Sequence, residues 1–185
     1  MAKGKKGKDD RPKPLSRGQR RRQWWIIGGA VAIIAAVVVG YFAYRAVAEL
    51  PGVSMSDQGN AHLQTFNEPH VAYNSDPPTS GPHMPYVAPW GVHNEPIPKE
   101  LQVHNLEAGG VVVQYNCPSP CPDLVERLAA IVRRYERQVI LAPYPGMKTR
   151  ISLTAWTRID GFDDFDEARI VRFIKAYRGI DHHKR

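Results

Sequence analysis

No charged residue occurs between Trp24 and Tyr44, no HExxH or repeated CxxC occurs anywhere in the chain, and no internal repeat is visible. The first absence excludes a water-facing surface for that stretch, since a soluble helix of its length carries charge on its outer side. The second excludes the standard motif-borne zinc sites. A nucleophile elbow is missing too. Ser80 lies in "PPTSGPH", a series of turns in which the Thr79 and Ser80 hydroxyls are expected to hydrogen-bond nearby backbone, so no hydrolase triad is expected. Nor is there a glycine loop that could cradle phosphate, because Gly109 and Gly110 read as a hairpin turn.

What is there is unevenly distributed. The net charge of +7 divides into ten Lys/Arg and two Asp in residues 1–23 and, by difference from the totals of 25 and 18, fifteen basic and sixteen acidic residues afterwards. The basicity therefore belongs to a tail without apolar periodicity, expected to be disordered, and it does not mark the rest of the chain for nucleic acid. The next stretch, "WWIIGGAVAIIAAVVVGYFAY", is long enough as a helix to cross the roughly 30 Å hydrocarbon core of a bilayer, with Trp24, Trp25, Tyr41 and Tyr44 suited to the two interfaces. Lys/Arg beside a span stay on the cytoplasmic side, so everything after Arg45 is expected outside the cytoplasm, at the cell membrane. An uncleaved anchor is favoured over a cleaved signal peptide, despite "AVA" at 46–48, because both the apolar stretch and the basic segment are long. Gly28, Ala32, Ala36 and Gly40 recur every fourth residue and form a small-residue face that would let a second copy or another membrane protein pack closely. The bilayer itself is the other expected partner, and nucleic acid is not one.

After the anchor, residues 51–100 hold more than half of the sixteen prolines together with Phe66, Tyr73, Tyr86 and Trp90. Proline excludes a helix over "PPTSGPHMPYVAPWGVHNEPIP", while the aromatics argue for an ordered arm laid on a domain. From Leu101, "LQVHNLE" and "VVVQYN" read as two strands joined through Ala108, Gly109 and Gly110. A helix from Pro122 to about Tyr135 follows, with Leu124, Leu128, Ile131, Val132 and Tyr135 on one face. "QVILAPY" and "TRISLTAWT" read as strands separated by the turn "YPGMK". A last helix begins after Asp163 as N-cap, with Asp166 at the positive end of the helix dipole, buries Ile170, Phe173, Ile174 and Tyr177, and stops at Gly179.

The expected fold is α+β: a single N-terminal transmembrane helix, then a small mixed four-stranded sheet with two helices on one face and a proline-rich irregular arm. Strands 111–116 and 138–142 are expected to be parallel, joined by a right-handed crossover through the first helix. The segments are a disordered cytoplasmic tail (1–23), the membrane helix (24–46), the ordered arm (47–100), the extracytoplasmic domain (101–180) and a tail (181–185).

Five of the seven histidines, His62, His70, His83, His93 and His104, fall between residues 62 and 104, and Cys117 and Cys121 follow at the end of a strand. Outside the cytoplasm a Cys117–Cys121 disulfide is admissible and ranks first for the thiols. A soft-metal site built from His83, Met84, His104, Cys117 and Cys121 ranks second, with copper(I) or zinc as the matching ions. A thiol-disulfide oxidoreductase ranks third, since a helix N-terminus favours thiolate. The strand, CxxxCP and helix are similar to the corresponding stretch of the Sco copper-delivery proteins. Glu107, next to the hairpin, is either a carboxylate ligand or a turn residue, the latter ranking first, and on a regular strand His104 and Glu107 would point to opposite faces.

"PPTSGPH" (77–83), "VHNLEAGGVVVQYN" (103–116), "LTAWTRID" (153–160) and "FDEARIVRFIKAYRG" (165–179) together resemble a bacterial, membrane-anchored family catalogued as domain of unknown function 3105. The family pattern carries His where this chain has Ala108. The resemblance implies an anchored architecture over roughly residues 60–180 and no particular activity. With no catalytic set in view, the leading expectation is a non-catalytic accessory or interaction subunit of a membrane assembly. A copper- or zinc-binding module and a thiol-disulfide enzyme are the alternatives.

Overall fold

The computed structural model describes residues 17–48 and 50–183, which fall into two units, Met1–Glu49 and Leu50–Arg185. The first unit is one helix, α1 (Arg17–Ala48). Within it Trp24–Arg45 is long and apolar enough to cross a membrane, by length and composition. The helix starts at Arg17, where residues up to 23 were expected to be disordered. Arg17, Arg21 and Arg22 are good helix formers, and extending an existing helix adds one hydrogen bond per residue without a new nucleation cost. Residues 1–16 of the expected tail lie outside the described residues.

The second unit is a mixed α+β domain built on one six-stranded sheet. In chain order its elements are β1 (Val53–Ser54), β2 (Gly91–Val92), α2 (Lys99–Glu107), β3 (Val111–Tyr115), α3 (Pro122–Val132), β4 (Val139–Pro143), β5 (Ile151–Ala155), β6 (Arg158–Phe162) and α4 (Glu167–Tyr177). The strand order is β1-β6-β5-β3-β4-β2. Strands β3 and β4 are parallel, with Val113 opposite Leu141, and α3 makes the crossover between them. Antiparallel β5 flanks β3 on its other side, so the strands joined through "YPGMK" are not neighbours.

Alternation along the central strands gives the two faces different chemistry. Val111, Val113, Val139, Leu141, Ile151 and Leu153 pack with α3 and α4 into one apolar core, which includes Leu128, Ile131, Ile170, Phe173 and Ile174. Val112, Ile140 and Ala142 face the other way, toward Val103 and Leu106 of α2, Trp156, and Ala88 and Ile97 of the proline-rich arm. The expectation of two helices on one face holds for α3 and α4. Four strands become six because β6 and the two-residue edges β1 and β2 join the sheet, while "LQVHNLE" leaves it.

That last correction decides the site. "LQVHNLE" is helical, and six consecutive residues of it, Gln102 to Glu107, are buried, packed between the sheet and the arm. A helix covered all round has no polar stripe and so no 3.6-residue signature. "AGG" is its stop and not a hairpin: Gly109 N–H donates to the Leu106 carbonyl (3.1 Å) and Gly110 N–H to the Asn105 carbonyl (2.8 Å), a Schellman motif with Gly109 at φ +76°. Gly110 has no room for a side chain, since a Cβ would lie 2.5 Å from the Asn105 oxygen and 2.7 Å from the Trp90 ring. At the other helices the differences are small. Helix α3 ends at Val132, three residues before Tyr135, and α4 is capped by Asp166, whose Oδ1 accepts from Arg169 N–H (3.0 Å). Asp163 accepts instead from Arg150 N–H (2.9 Å).

Candidate metal centre

Because residues 104 and 107 sit on a helix, they are three apart on one face and not on opposite faces of a strand. His104 Nδ1 lies 3.5 Å from Glu107 Oε2. The arm brings the other partners. His62 and His83 form a parallel bridge, with Leu63 N–H donating to the His83 carbonyl (2.8 Å) and His83 N–H to the Ala61 carbonyl (2.9 Å). This pairing sets the two imidazoles side by side, ring centroids 5.1 Å apart. Asn105, on the same helix, locks the arm in place by exchanging two 2.9 Å hydrogen bonds with the Ala88 backbone.

The result is a cluster in which one ligand atom from each of His62, His83, His104 and Glu107 lies within 4.8 Å of every other. Glu107 is its centre and is wholly buried. Its Oε2 is 3.0 Å from His83 Nε2, 3.5 Å from His104 Nδ1 and 3.9 Å from His62 Nε2. On a tetrahedral ion with bonds of about 2.0–2.1 Å, neighbouring ligand atoms sit roughly 3.3 Å apart, inside that spread. The other carboxylate oxygen, Oε1, accepts from Asn60 Nδ2 at 2.6 Å.

Tautomer logic makes the cluster informative. His83 Nδ1 is 2.8 Å from the Gly81 carbonyl, an oxygen that can only accept, so Nδ1 carries the hydrogen. In the neutral ring Nε2 is then a bare lone pair, aimed at a carboxylate oxygen 3.0 Å away inside the protein. Two acceptors facing each other need a cation between them, either a proton or a metal ion. A backbone carbonyl holding one imidazole nitrogen while the other is presented to an ion is the usual outer support of a metal ligand. His104 adds a second sign: its buried Nδ1 has no hydrogen-bond partner. Burial, with the His83 ring beside it, pushes His104 down to about 4, so at neutral pH it is an uncharged potential ligand. Finally, Glu107 is the last residue of α2, at the negative end of the helix dipole, which favours a cation.

An unpaired buried carboxylate costs several kcal/mol. The one charge-assisted bond from Asn60 returns about 1.5–3 kcal/mol. A cation, whether a proton or a metal ion, would make up the deficit.

The structure brings together His83 and His104 of the expected ligands and adds His62 and Glu107. Met84 is buried, its N–H donating to the Glu100 carbonyl (3.3 Å), and takes no part in the contacts to Glu107. Cys117 and Cys121 form a disulfide with Cα atoms 6.1 Å apart, as expected for the pair. They lie past the far end of β3, whose five residues alone span about 17 Å. Of the remaining histidines, His70 and His93 bond backbone carbonyls of Val71 and Pro89. Neither hydroxyl of the "PPTSGPH" turns makes the local bond expected of it: that of Ser80 accepts from the distant Gln58 N–H (3.0 Å), and that of Thr79 meets the Ser75 hydroxyl (3.3 Å).

The segment after α4 returns to the cluster. His183 Nε2 is 3.3 Å from Glu107 Oε2, and the His182 ring stacks on Trp156. In sequence these histidines are far from the others, and no local pattern announces the approach.

Fold and cluster define an α+β domain with a buried carboxylate ringed by imidazoles, following a helix long and apolar enough for a membrane. The family model described as "Protein of unknown function (DUF3105)" matches residues 64–184, and the chain belongs to that family. No curated protein and no solved structure matches it.

Proposed function

We propose that this protein is a membrane-anchored module that binds one divalent transition-metal ion, zinc or copper(II), through His62, His83, His104 and Glu107. The observation that carries the reading is the bare Nε2 of His83 facing Glu107 Oε2 at 3.0 Å while its Nδ1 is committed to Gly81. All four donors are nitrogen or oxygen, which favours imidazole-loving ions over copper(I), and the thiols are spent on a disulfide. Trp24–Arg45 holds the module at the bilayer, with the Lys/Arg-rich N-terminal segment inside and the domain outside the cytoplasm.

The accessory-subunit reading takes second place because it rests on the small-residue face of α1, the aromatic arm and the lack of a catalytic set, whereas the metal reading names converging atoms. The test is elemental analysis of the full-length protein, purified in mild detergent and exposed to zinc or copper(II) after chelator treatment. One tightly held equivalent is expected. Uptake of no metal at neutral pH would assign the cation between His83 and Glu107 to a proton and overturn the proposal. An alkaline phosphatase fusion at the C-terminus, active only outside the cytoplasm, checks the orientation.

A further inference from the structure

We infer that His183 is a fifth, exchangeable ligand of this centre, positioned by Asp181; the inference rests on the metal-binding reading above. Its geometry repeats that of His83. Nδ1 of His183 is 2.6 Å from Asp181 Oδ1, a carboxylate oxygen that accepts, so Nε2 is again the bare nitrogen and again points at Glu107 Oε2, 3.3 Å away. Asp181 grips this residue twice, since the same oxygen also accepts from His183 N–H (2.9 Å). A carboxylate holding the outer nitrogen of an imidazole fixes ring orientation and raises its basicity toward a metal.

The segment that carries it is tied down before it reaches the site. Gly179, at φ +88°, turns the chain out of α4 and donates to the Gly109 carbonyl (2.8 Å). Next, His182 N–H donates to the Glu107 carbonyl (2.8 Å), one of the carbonyls a helix end leaves unpaired. The His182 ring lies on Trp156 at 5.9 Å between centroids. The His183 ring is thereby delivered within 5.4 Å of the His104 ring.

Burial separates the two supported imidazoles. The His83 side chain is fully buried and its Nδ1 is held by the Gly81 carbonyl, so it has no path into water. The His183 side chain is 42% exposed and can swing into water by rotating about its own bonds. The centre can therefore pass from five ligands to four plus one incoming donor group without releasing the ion. That open position is what metal transfer or substrate binding at a metal requires.

The experiment uses the full-length protein in detergent loaded with cobalt(II), whose visible spectrum reports coordination number. In His183→Ala one equivalent of cobalt still binds, visible absorption strengthens as five-coordination gives way to four, and release to excess EDTA is about tenfold faster. Asp181→Asn falls between wild type and His183→Ala, and millimolar imidazole restores the wild-type spectrum and release rate to His183→Ala. If His183→Ala binds one equivalent with the wild-type spectrum and release rate, His183 is no ligand and the four-residue centre stands without it. If the wild-type protein binds no cobalt, the centre itself is refuted, and this inference with it.

Discussion

The two faces of the central sheet differ in what they bury. Against α3 and α4 the strands present Val, Ile, Leu, Ala and Phe, and the buried charge among the described residues there, Asp160 opposite Leu153, is neutralised by Arg169 of α4 (2.6 and 2.9 Å). Against α2 and the proline-rich arm, Gln114, Ser152 and Thr154 are buried alongside Gln102, Asn105, His83 and Glu107. Apolar burial contributes roughly 25 cal/mol per Å², whereas each buried polar group must recover its lost hydration through specific partners. Both faces carry an apolar cluster, and the larger one, against α3 and α4, is the main source of cohesion. The other accepts a stability cost to fix polar side chains in place.

The comparison breaks first where the apolar face is truncated. Phe173, fully buried in α4, should cost about 3–5 kcal/mol of unfolding free energy when changed to Ala. Denaturant titration of the metal-free protein will show this loss, and a metal affinity unchanged in the molecules still folded would sharpen the division. Glu107→Gln is the converse. It should lower zinc affinity by at least about a hundredfold in a competition titration, since it removes the only charged ligand, while metal-free stability stays within about 1 kcal/mol because a desolvated carboxylate is gone too. A large stability loss with affinity intact would make Glu107 a structural residue.

Paired replacement of Cys117 and Cys121 by Ser should remove about 2 kcal/mol of stability, the loop-closure value for so short a loop, and leave metal affinity within a factor of two. A strong affinity loss would bring the thiols back into the centre. Smallest is Asn60→Ala, which deletes the 2.6 Å bond to Glu107 Oε1 and should weaken zinc about tenfold with little change in melting temperature.

How much of this was legible in the sequence follows from which signals survive burial. The faces of α3 and α4 were readable because each helix is wet on one side, and β3 and β4, buried on both faces, because each is a short continuous apolar run. Helix α2 was not, since burial of Gln102 to Glu107 erases the stripe and leaves an alternation that mimics a strand. Strand β6, "RIDGF", interleaves charge and glycine, while β1 and β2 are two residues each and too short to carry any pattern.

The site inherited these gaps. His83 and His104 were nameable as ligand types, but placing 104 and 107 on a strand sent Glu107 to the wrong face and hid the carboxylate around which the histidines gather. His62 meets His83 only through a bridge between two irregular segments, and His183 reaches Glu107 across 76 positions of chain (183 less 107). Such contacts are tertiary facts with no local precursor. The stretches that carried the family resemblance, "PPTSGPH" and "VHNLEAGG", end on or contain His83, His104 and Glu107.

The most direct test of the account is X-ray absorption at the zinc edge of the loaded full-length protein. Nitrogen and oxygen neighbours at about 2.0–2.1 Å with imidazole scattering and no sulfur shell near 2.3 Å are predicted. A sulfur shell, or no stoichiometric zinc to measure, would contradict it.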